Sequence, residues 1–220
     1  MKTKIFLLLT AWLSLLLSAS AEVVTGTDGE NITWSLDRET GVLTINGTGA
    51  VTGAMWKPWQ GYKTEVKEII VGEGITELGY YAFSDMSMVH TIKLPTTLTA
   101  IGIWAFGNCT SLKTVNIPNG VTSLHNVFQN CTSLESIVIP ESVTNMQSAF
   151  RGCTSLKTVN IPAAVTNLGF AFLGCTSLES VVIPESFTPE SNWVMSETFS
   201  GCTSLKTVNI PESATELFDT

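Results

Sequence analysis

Five copies of one phrase, each opened by a cysteine, constrain the fold of this 220-residue chain more than any other feature. The cysteines are spaced by 22, 22, 22 and 27 residues, and each begins a phrase such as CTSLKTVNIP or CTSLESIVIP. They are Cys109, Cys131, Cys153, Cys175 and Cys202. A fixed period of about 20–29 residues that carries a short apolar strand is typical of a solenoid, whose units bury their apolar sides only by stacking. Repeat arrays mostly present surfaces to partners, so the period favours binding over catalysis.

Each phrase predicts one strand with three inward apolar positions, as in Leu112, Val115 and Ile117. A proline closes every copy because it lacks the N–H that would continue a ladder. A phenylalanine stands three residues before each cysteine and predicts a second inward column. Its members are Phe106, Phe128, Phe150, Phe172 and Phe199.

Degenerate copies extend the array towards the N-terminus. The tripeptide Tyr81-Ala82-Phe83 precedes Trp104-Ala105-Phe106 by 23 residues, and Met86 takes the place of the cysteine. Still earlier, the strand positions are filled by Val66, Ile69 and Val71. We therefore predict about seven repeats over residues 64–220, with a period of 22–23 residues. Five extra residues within 187–197, among them Trp193, predict an insertion looped out on one face.

Residues 22–63 differ in kind from the repeats. Alternating apolar residues at 31–36 and 42–46 flank the segment 37–41 and predict a β-hairpin. An irregular aromatic segment with Trp56 and Trp59 follows. Because an open sheet edge invites unwanted pairing, we expect these residues to cover the first repeat.

The repeat phrase, its following V-T-x-L and its A-F-x-x-C-T-S-L start together resemble the BspA-like leucine-rich repeat family. Residues 26–34, residues 41–49 and Trp56 resemble the segment that precedes such repeats in secreted bacterial members. The resemblance implies a leucine-rich repeat solenoid, mainly β with short turns and 3-10 segments, behind an N-terminal β-hairpin cap. It also implies a surface or secreted protein without a shared catalytic motif. Some members bind host extracellular-matrix proteins.

The N-terminal residues 1–21 read as a secretory signal peptide. Lys2 and Lys4 precede an apolar stretch at 5–17, and Ala19-Ser20-Ala21 is an A-x-A cleavage site. We expect a secreted or cell-surface location, with the periplasm as an alternative, and no membrane insertion after cleavage. Loss of the two lysines lowers the formal net charge from −8 to −10. Such an acidic chain is a poor partner for nucleic acid or anionic membrane.

Candidate chemistry is sparse. The five cysteines share one column, so their side chains point the same way, and we expect reduced core thiols rather than disulfides. Without a CxxC motif, and with His90 and His125 as the only histidines, no metal, cofactor or catalytic residue is predicted. Paired carboxylates leave a carbohydrate-active enzyme as the less favoured alternative. The sequons at Asn108 and Asn130 are interpreted as turn residues.

A group of aromatic residues leaves two interpretations open. It consists of Trp56, Trp59, Tyr62, Tyr80 and Tyr81. Such residues stack on sugars, but near the end of an array they more often form part of the cap.

The predicted binding surface is the outward face of a concave parallel sheet. One row of outward residues is Thr114, Ser136, Thr158, Ser180 and Thr207, and the other is Asn116, Val138, Asn160, Val182 and Asn209. Alternating charges stand beside them at Lys113, Glu135, Lys157, Glu179 and Lys206. The nearly uncharged face predicts a non-catalytic binding or adhesion protein. We expect its partner to be an extracellular protein, host matrix proteins included, or a glycan. We expect the protein to be a monomer. The alternative is a structural spacer or an accessory module of a surface complex.

Overall fold

The computed structural model describes residues 22–51, 57–187 and 195–212, which form thirteen β-strands and one short 3-10 helix. No α-helix occurs within these ranges. The predicted signal peptide, Trp56, Trp193 with most of the predicted insertion, and residues 213–220 lie outside them.

The main sheet begins as an antiparallel meander and continues as a parallel stack. Its first three strands are β1 (Val23–Thr27), β2 (Ile32–Asp37) and β3 (Val42–Gly47). The predicted hairpin is the β2–β3 pair, in which Trp34 lies opposite Ile45. Parallel pairing then runs from β3 through β5 (Glu68–Val71), β7 (Thr91–Lys93) and β9 (Thr114–Val115).

The parallel stack extends to the last repeat. Its further strands are β10 (Ser136–Ile137), β11 (Thr158–Val159), β12 (Ser180–Val182) and β13 (Thr207–Asn209). Pairs β10–β11 and β12–β13 are parallel, and the bridges Asn116–Val138 and Asn160–Val182 join them to their neighbours. The main stack thus contains the seven strands β5, β7, β9, β10, β11, β12 and β13. Six turns of a mainly β solenoid connect them, which confirms the predicted fold class.

The opposite side of each turn is built from loops and very short strands. A small parallel sheet comprises β4 (Gly49–Val51), β6 (Ile75–Leu78) and β8 (Ala100–Ile101). Further along, bridges join Ser123, Asn145 and Asn167. Each turn also contains a left-handed residue before the cysteine column, and Asn, Asp or Gly occupies this position because these residues tolerate positive φ best. These are Asp85, Asn108, Asn130, Gly152, Gly174 and Gly201.

The core consists of side-chain columns that run along the stack. Six phenylalanines, from Phe83 to Phe199, stack with centroids 5.5–5.9 Å apart and planes within 3–12° of parallel. All but Phe199 are fully buried. The predicted inward residues of the strands are buried too, apart from partly exposed residues such as Val159 and those of the last repeat, where Ile210 is exposed.

The hairpin cap is tied to the repeats by charged and aromatic contacts. Arg38 of the hairpin lies 2.6 Å from Glu65 at the start of the repeats and 2.7 Å from Glu22. Within the cap, the buried Lys57 ammonium lies 2.9 Å from Asp28. The 3-10 helix (Pro58–Tyr62) brings Trp59 into the core. The cap therefore closes the N-terminal end of the stack.

Candidate binding surface

The ten residues predicted for the binding surface are all exposed, in the strands or directly after them, and we call them the strand face. They are Thr114, Asn116, Ser136, Val138, Thr158, Asn160, Ser180, Val182, Thr207 and Asn209. Successive residues of a strand point to opposite sides, so Thr114 is exposed while Val115 is buried. Register aligns the rows: Ser136 lies opposite Thr158, and Ser180 opposite Thr207.

Two asparagines of the strand face are used within the sheet rather than left free. The Asn160 Nδ2 donates to the Ile139 carbonyl at 2.8 Å, and its Oδ1 accepts from the Ile139 N–H at 3.0 Å. Asn209 forms the same pair with Ile183, at 3.0 and 2.8 Å. Each side-chain amide therefore continues the ladder towards the preceding repeat, where the strands themselves are only two or three residues long. These two residues are structural, which the row pattern alone did not indicate.

Asn116 occupies the same row without such a pair among the described residues. It borders a concavity of about 340 Å³ together with Leu94, Thr96 and Pro118. The row therefore contains one asparagine that faces open space and two that are fixed to the backbone.

The largest apolar exposure on the strand face comes from two valines. Val138 is 72% exposed and Val182 is 67% exposed, more than any other large hydrophobic residue of the described chain. Both line one shallow concavity of about 640 Å³, and Asn160 lies between them in the row. The concavity also includes Ser136, Thr158 and Pro184. It offers apolar contact and hydroxyl groups, but no charged side chain.

Charged residues flank the strand face rather than enter its centre. In the predicted alternating column, Lys206 lies 3.1 Å from Glu179. On the first repeats, Lys93 lies 2.7 Å from Glu68, and these residues extend the outward rows towards the cap. Such exposed pairs contribute only ~0.2–1 kcal/mol each, so their main effect is on register and on the charge that a partner meets.

The cysteine column is part of the core and not a reactive site. Each Sγ donates to the carbonyl of the phenylalanine in the preceding repeat, at 3.1–3.3 Å; for Cys153 the acceptor is Phe128. Burial raises the pKa of Cys109 and of Cys153 to about 12, because the thiolate would lose its hydration. The predicted burial is confirmed for four cysteines, while Cys202 in the last repeat is partly exposed. Thiols held in the protonated form are poor nucleophiles and metal ligands.

The other chemistry-bearing residues are scattered. His90 is exposed, whereas partial burial lowers the pKa of His125. The described residues contain no group of three or more His, Cys, Asp or Glu placed to hold a metal ion. Within the same ranges, no helix has the length and apolar character needed to cross a bilayer.

The predicted aromatic group separates into two parts. Trp59 is fully buried and Tyr62 packs against the core, so these two belong to the cap. Tyr80 and Tyr81 are 64% and 38% exposed and lie on the surface. A residue absent from the predicted group, Trp104, stacks on Tyr81 with centroids 6.3 Å apart and planes 17° from parallel. The signal for it was present, since Trp104 aligns with Tyr81 one repeat earlier.

A family model of the BspA type leucine-rich repeat region matches six copies in the chain, over residues 61–170 and 170–220. The chain belongs to this family. Among solved structures it is similar to a leucine-rich repeat protein of T. pallidum, at 22% identity and a TM-score of 0.59, over 82% of this chain and 90% of that one. It is also similar to a leucine-rich repeat protein of Bacteroides ovatus, at 25% identity and a TM-score of 0.51, over 84% of this chain. The matched region is 53% of the Bacteroides ovatus chain, so this protein spans about half of it.

No curated protein matched the chain. The family is typical of protein-interaction or surface modules and is typically non-catalytic.

Proposed function

We propose that this protein is a non-catalytic extracellular binding protein, and that the strand face receives a protein or glycan partner. The observation that carries the proposal is the pair Val138 and Val182, exposed around one uncharged concavity. A solitary exposed valine needs no explanation. Here two occupy matching places in one row, two strands apart, and small polar residues surround them.

The chemistry of this surface suits close approach by a partner. Burying apolar area contributes about 25 cal/mol per Å² removed from water, so the two valines supply a modest apolar centre. Ser136 and Thr158 beside them donate and accept hydrogen bonds without the cost of desolvating a charge. Few charges at the centre and more at the rim are also typical of protein interfaces.

Binding to immobilised collagen, laminin and fibronectin, and to a glycan array, tests the proposal. We expect at least one probe to bind, and Val138→Lys and Val182→Lys each to weaken that binding at least ~10-fold, because an ammonium group would enter an apolar contact. The matched control is Val23→Lys, which places the same substitution at another exposed valine, on strand β1 of the cap.

Retention of full affinity by both strand-face variants would remove this surface from consideration. Equal loss in Val23→Lys would indicate a non-specific effect of charge. If none of the probes binds, the structural-spacer alternative takes its place.

We also propose export, based on the leader-like residues 1–21. Mass spectrometry of the protein recovered from culture medium or from the cell surface should find an N-terminus at Glu22. A chain that starts at Met1 and stays inside the cell would contradict export.

A further inference from the structure

A strip of three aromatic residues lies away from the strand face, in the loops that follow β6 and β8. It consists of Tyr80, Tyr81 and Trp104, and we call it the aromatic strip. Tyr80 is the most exposed of the three, and the Tyr81 and Trp104 rings are nearly parallel. Aromatic rings of the core stack in the same manner, but this stack stands at the surface.

Backbone preference does not account for these residues. Tyr81 and Trp104 have φ values of 56° and 59°, in the left-handed region. Later repeats place Asn126, Ser148, Phe170 and Glu197 at this position, so residues of several kinds adopt it. Tyr81 and Trp104 differ from the lone Phe170 in that they occupy neighbouring repeats and stack on each other.

The strip is held rigidly by its surroundings. The Trp104 ring lies directly over Gly107, where a Cβ atom would overlap it. The equivalent positions in the neighbouring repeats hold Ser84 and Gln129, so glycine makes room for the indole in this repeat alone among the three. Gln60 of the cap donates from Nε2 to the Tyr81 carbonyl at 3.2 Å and fixes that turn.

A line of polar groups runs beside the strip. Asn108, which follows Gly107 in the chain, donates from Nδ2 to Asp85 at 2.7 Å, and Asn130 donates to the Asn108 Oδ1 at 3.0 Å. Lys63 lies 3.9 Å from the other carboxylate oxygen of Asp85. Amide and carboxylate groups are thus ordered in the turns that carry the Tyr81 and Trp104 rings, and in the turn of the next repeat.

We propose that the aromatic strip is a second binding site, separate from the strand face, for the pyranose rings of a neutral glycan. A pyranose ring presents one flat face of C–H groups, which packs on the face of an indole or phenol. The hydroxyl groups at the edge of the sugar ring form hydrogen bonds with neighbouring donors and acceptors. The aromatic strip supplies the apolar platform, and Asp85, Asn108 and Asn130 supply the edge. The formal net charge of −8 disfavours an anionic glycan.

Isothermal titration of the full-length protein with cellohexaose, xylohexaose, mannohexaose and chitohexaose tests the site. A proline-rich dodecapeptide, the other flat-faced ligand that aromatic rings accept, is titrated in parallel. We expect at least one hexasaccharide to bind and to change the tryptophan fluorescence, since Trp104 lies in the contact. Trp104→Ala and Tyr80→Ala should each weaken that binding at least ~10-fold.

Controls separate this site from folding and from the strand face. Phe170→Ala removes an aromatic residue from the same left-handed position of a later repeat, away from the strip, and should leave sugar affinity unchanged. Tyr80 is largely exposed, so Tyr80→Ala should fold even if Trp104→Ala does not. Val23→Lys lies outside both surfaces and should retain sugar affinity. Loss of sugar affinity in Val182→Lys with full affinity in Tyr80→Ala would place the sugar on the strand face and overturn this site alone.

Three results would overturn the proposal: no hexasaccharide binding at millimolar concentration, undiminished binding by Tyr80→Ala, or binding of the peptide alone.

Discussion

Trp59 stacks on Phe83, with ring centroids 5.6 Å apart and planes inclined by 20°. The cap thereby adds one further ring to the phenylalanine column, and Trp34 closes the other side of Trp59 with an edge contact at 6.3 Å. The Trp59 Nε1 donates to the Ala82 carbonyl at 2.8 Å, so the indole is satisfied although it is buried. Trp59 therefore joins the hairpin to the phenylalanine column, in addition to the β3–β5 pairing and the Arg38–Glu65 ion pair.

We expect Trp59→Ala to lower the free energy of unfolding by ~3–5 kcal/mol, the usual range for deletion of a buried aromatic ring. Trp59→Phe should cost less, because phenylalanine already occupies every other place in the column. Urea unfolding followed by circular dichroism measures both values. A midpoint for Trp59→Ala within error of the unsubstituted protein would show that the cap and the repeats are not coupled through this contact.

The repeating part of the fold follows from the sequence because stacking imposes one rule on every copy. Once Phe150 and Cys153 are assigned to the core, their equivalents at other repeats must be buried too, and the period carries the assignment along the chain. The assignment weakens only at the last repeat, where Phe199 and Cys202 have no following turn among the described residues to cover them.

The surface was less predictable, because a pattern shows which side a residue faces but not what it bonds to. Asn160 and Asn116 are identical in the repeat alignment, yet only Asn160 is paired to the backbone of the preceding repeat. Trp104 was aligned correctly with Tyr81, but the stack between them depends on the space above Gly107. Both relationships depend on local geometry that the period does not encode.

The position of a ring along the phenylalanine column should determine how much it contributes to the free energy of unfolding. Phe150 is fully buried between Phe128 and Phe172, so Phe150→Ala should cost ~3–5 kcal/mol. Phe199→Ala serves as the matched control and should cost less, because Phe199 is partly exposed and stacks on one ring only among the described residues. Equal losses in urea unfolding, or no loss for Phe150→Ala, would refute the inward assignment of the column.

The thiol column should make the protein sensitive to alkali. Burial raises the thiol pKa above its ordinary value of 9.0, to about 12 for Cys153, so the folded state keeps protons that the unfolded state releases. The contribution of these thiols to the free energy of unfolding is therefore fully present below about pH 9 and is lost as the pH rises towards 12. Each such thiol contributes a slope of ~1.4 kcal/mol per pH unit in that interval. Urea unfolding at a series of pH values measures the slope.

Cys153→Ser is the control for this pH dependence, because its hydroxyl can still donate to the Phe128 carbonyl but does not ionise in this range. It should reduce the slope by ~1.4 kcal/mol per pH unit. In the unsubstituted protein, a thiol reagent should react slowly with the folded state and should modify five thiols after denaturation without reductant. Three or one reactive thiols would mean that neighbouring repeats are cross-linked.

The two hydrogen bonds between the Asn160 side chain and the Ile139 backbone should contribute to the free energy of unfolding. Asn160→Ala removes two hydrogen bonds to Ile139, each worth ~0.5–1.5 kcal/mol, and should cost about 1–2 kcal/mol. Asn116→Ala changes the same residue type in the same row without removing such a pair, and should stay within about 0.5 kcal/mol of the unsubstituted protein.

Asn160→Asp tests the geometry further: an ionised carboxylate cannot donate to the Ile139 carbonyl, so this variant should be less stable at pH 7 and recover part of the loss at pH 3. Equal effects of the two alanine substitutions would show that the amide does not continue the sheet. Because Asn160 supports the strands in this way, loss of binding on changing it would not identify a contact, whereas loss on changing Val138 or Val182 would.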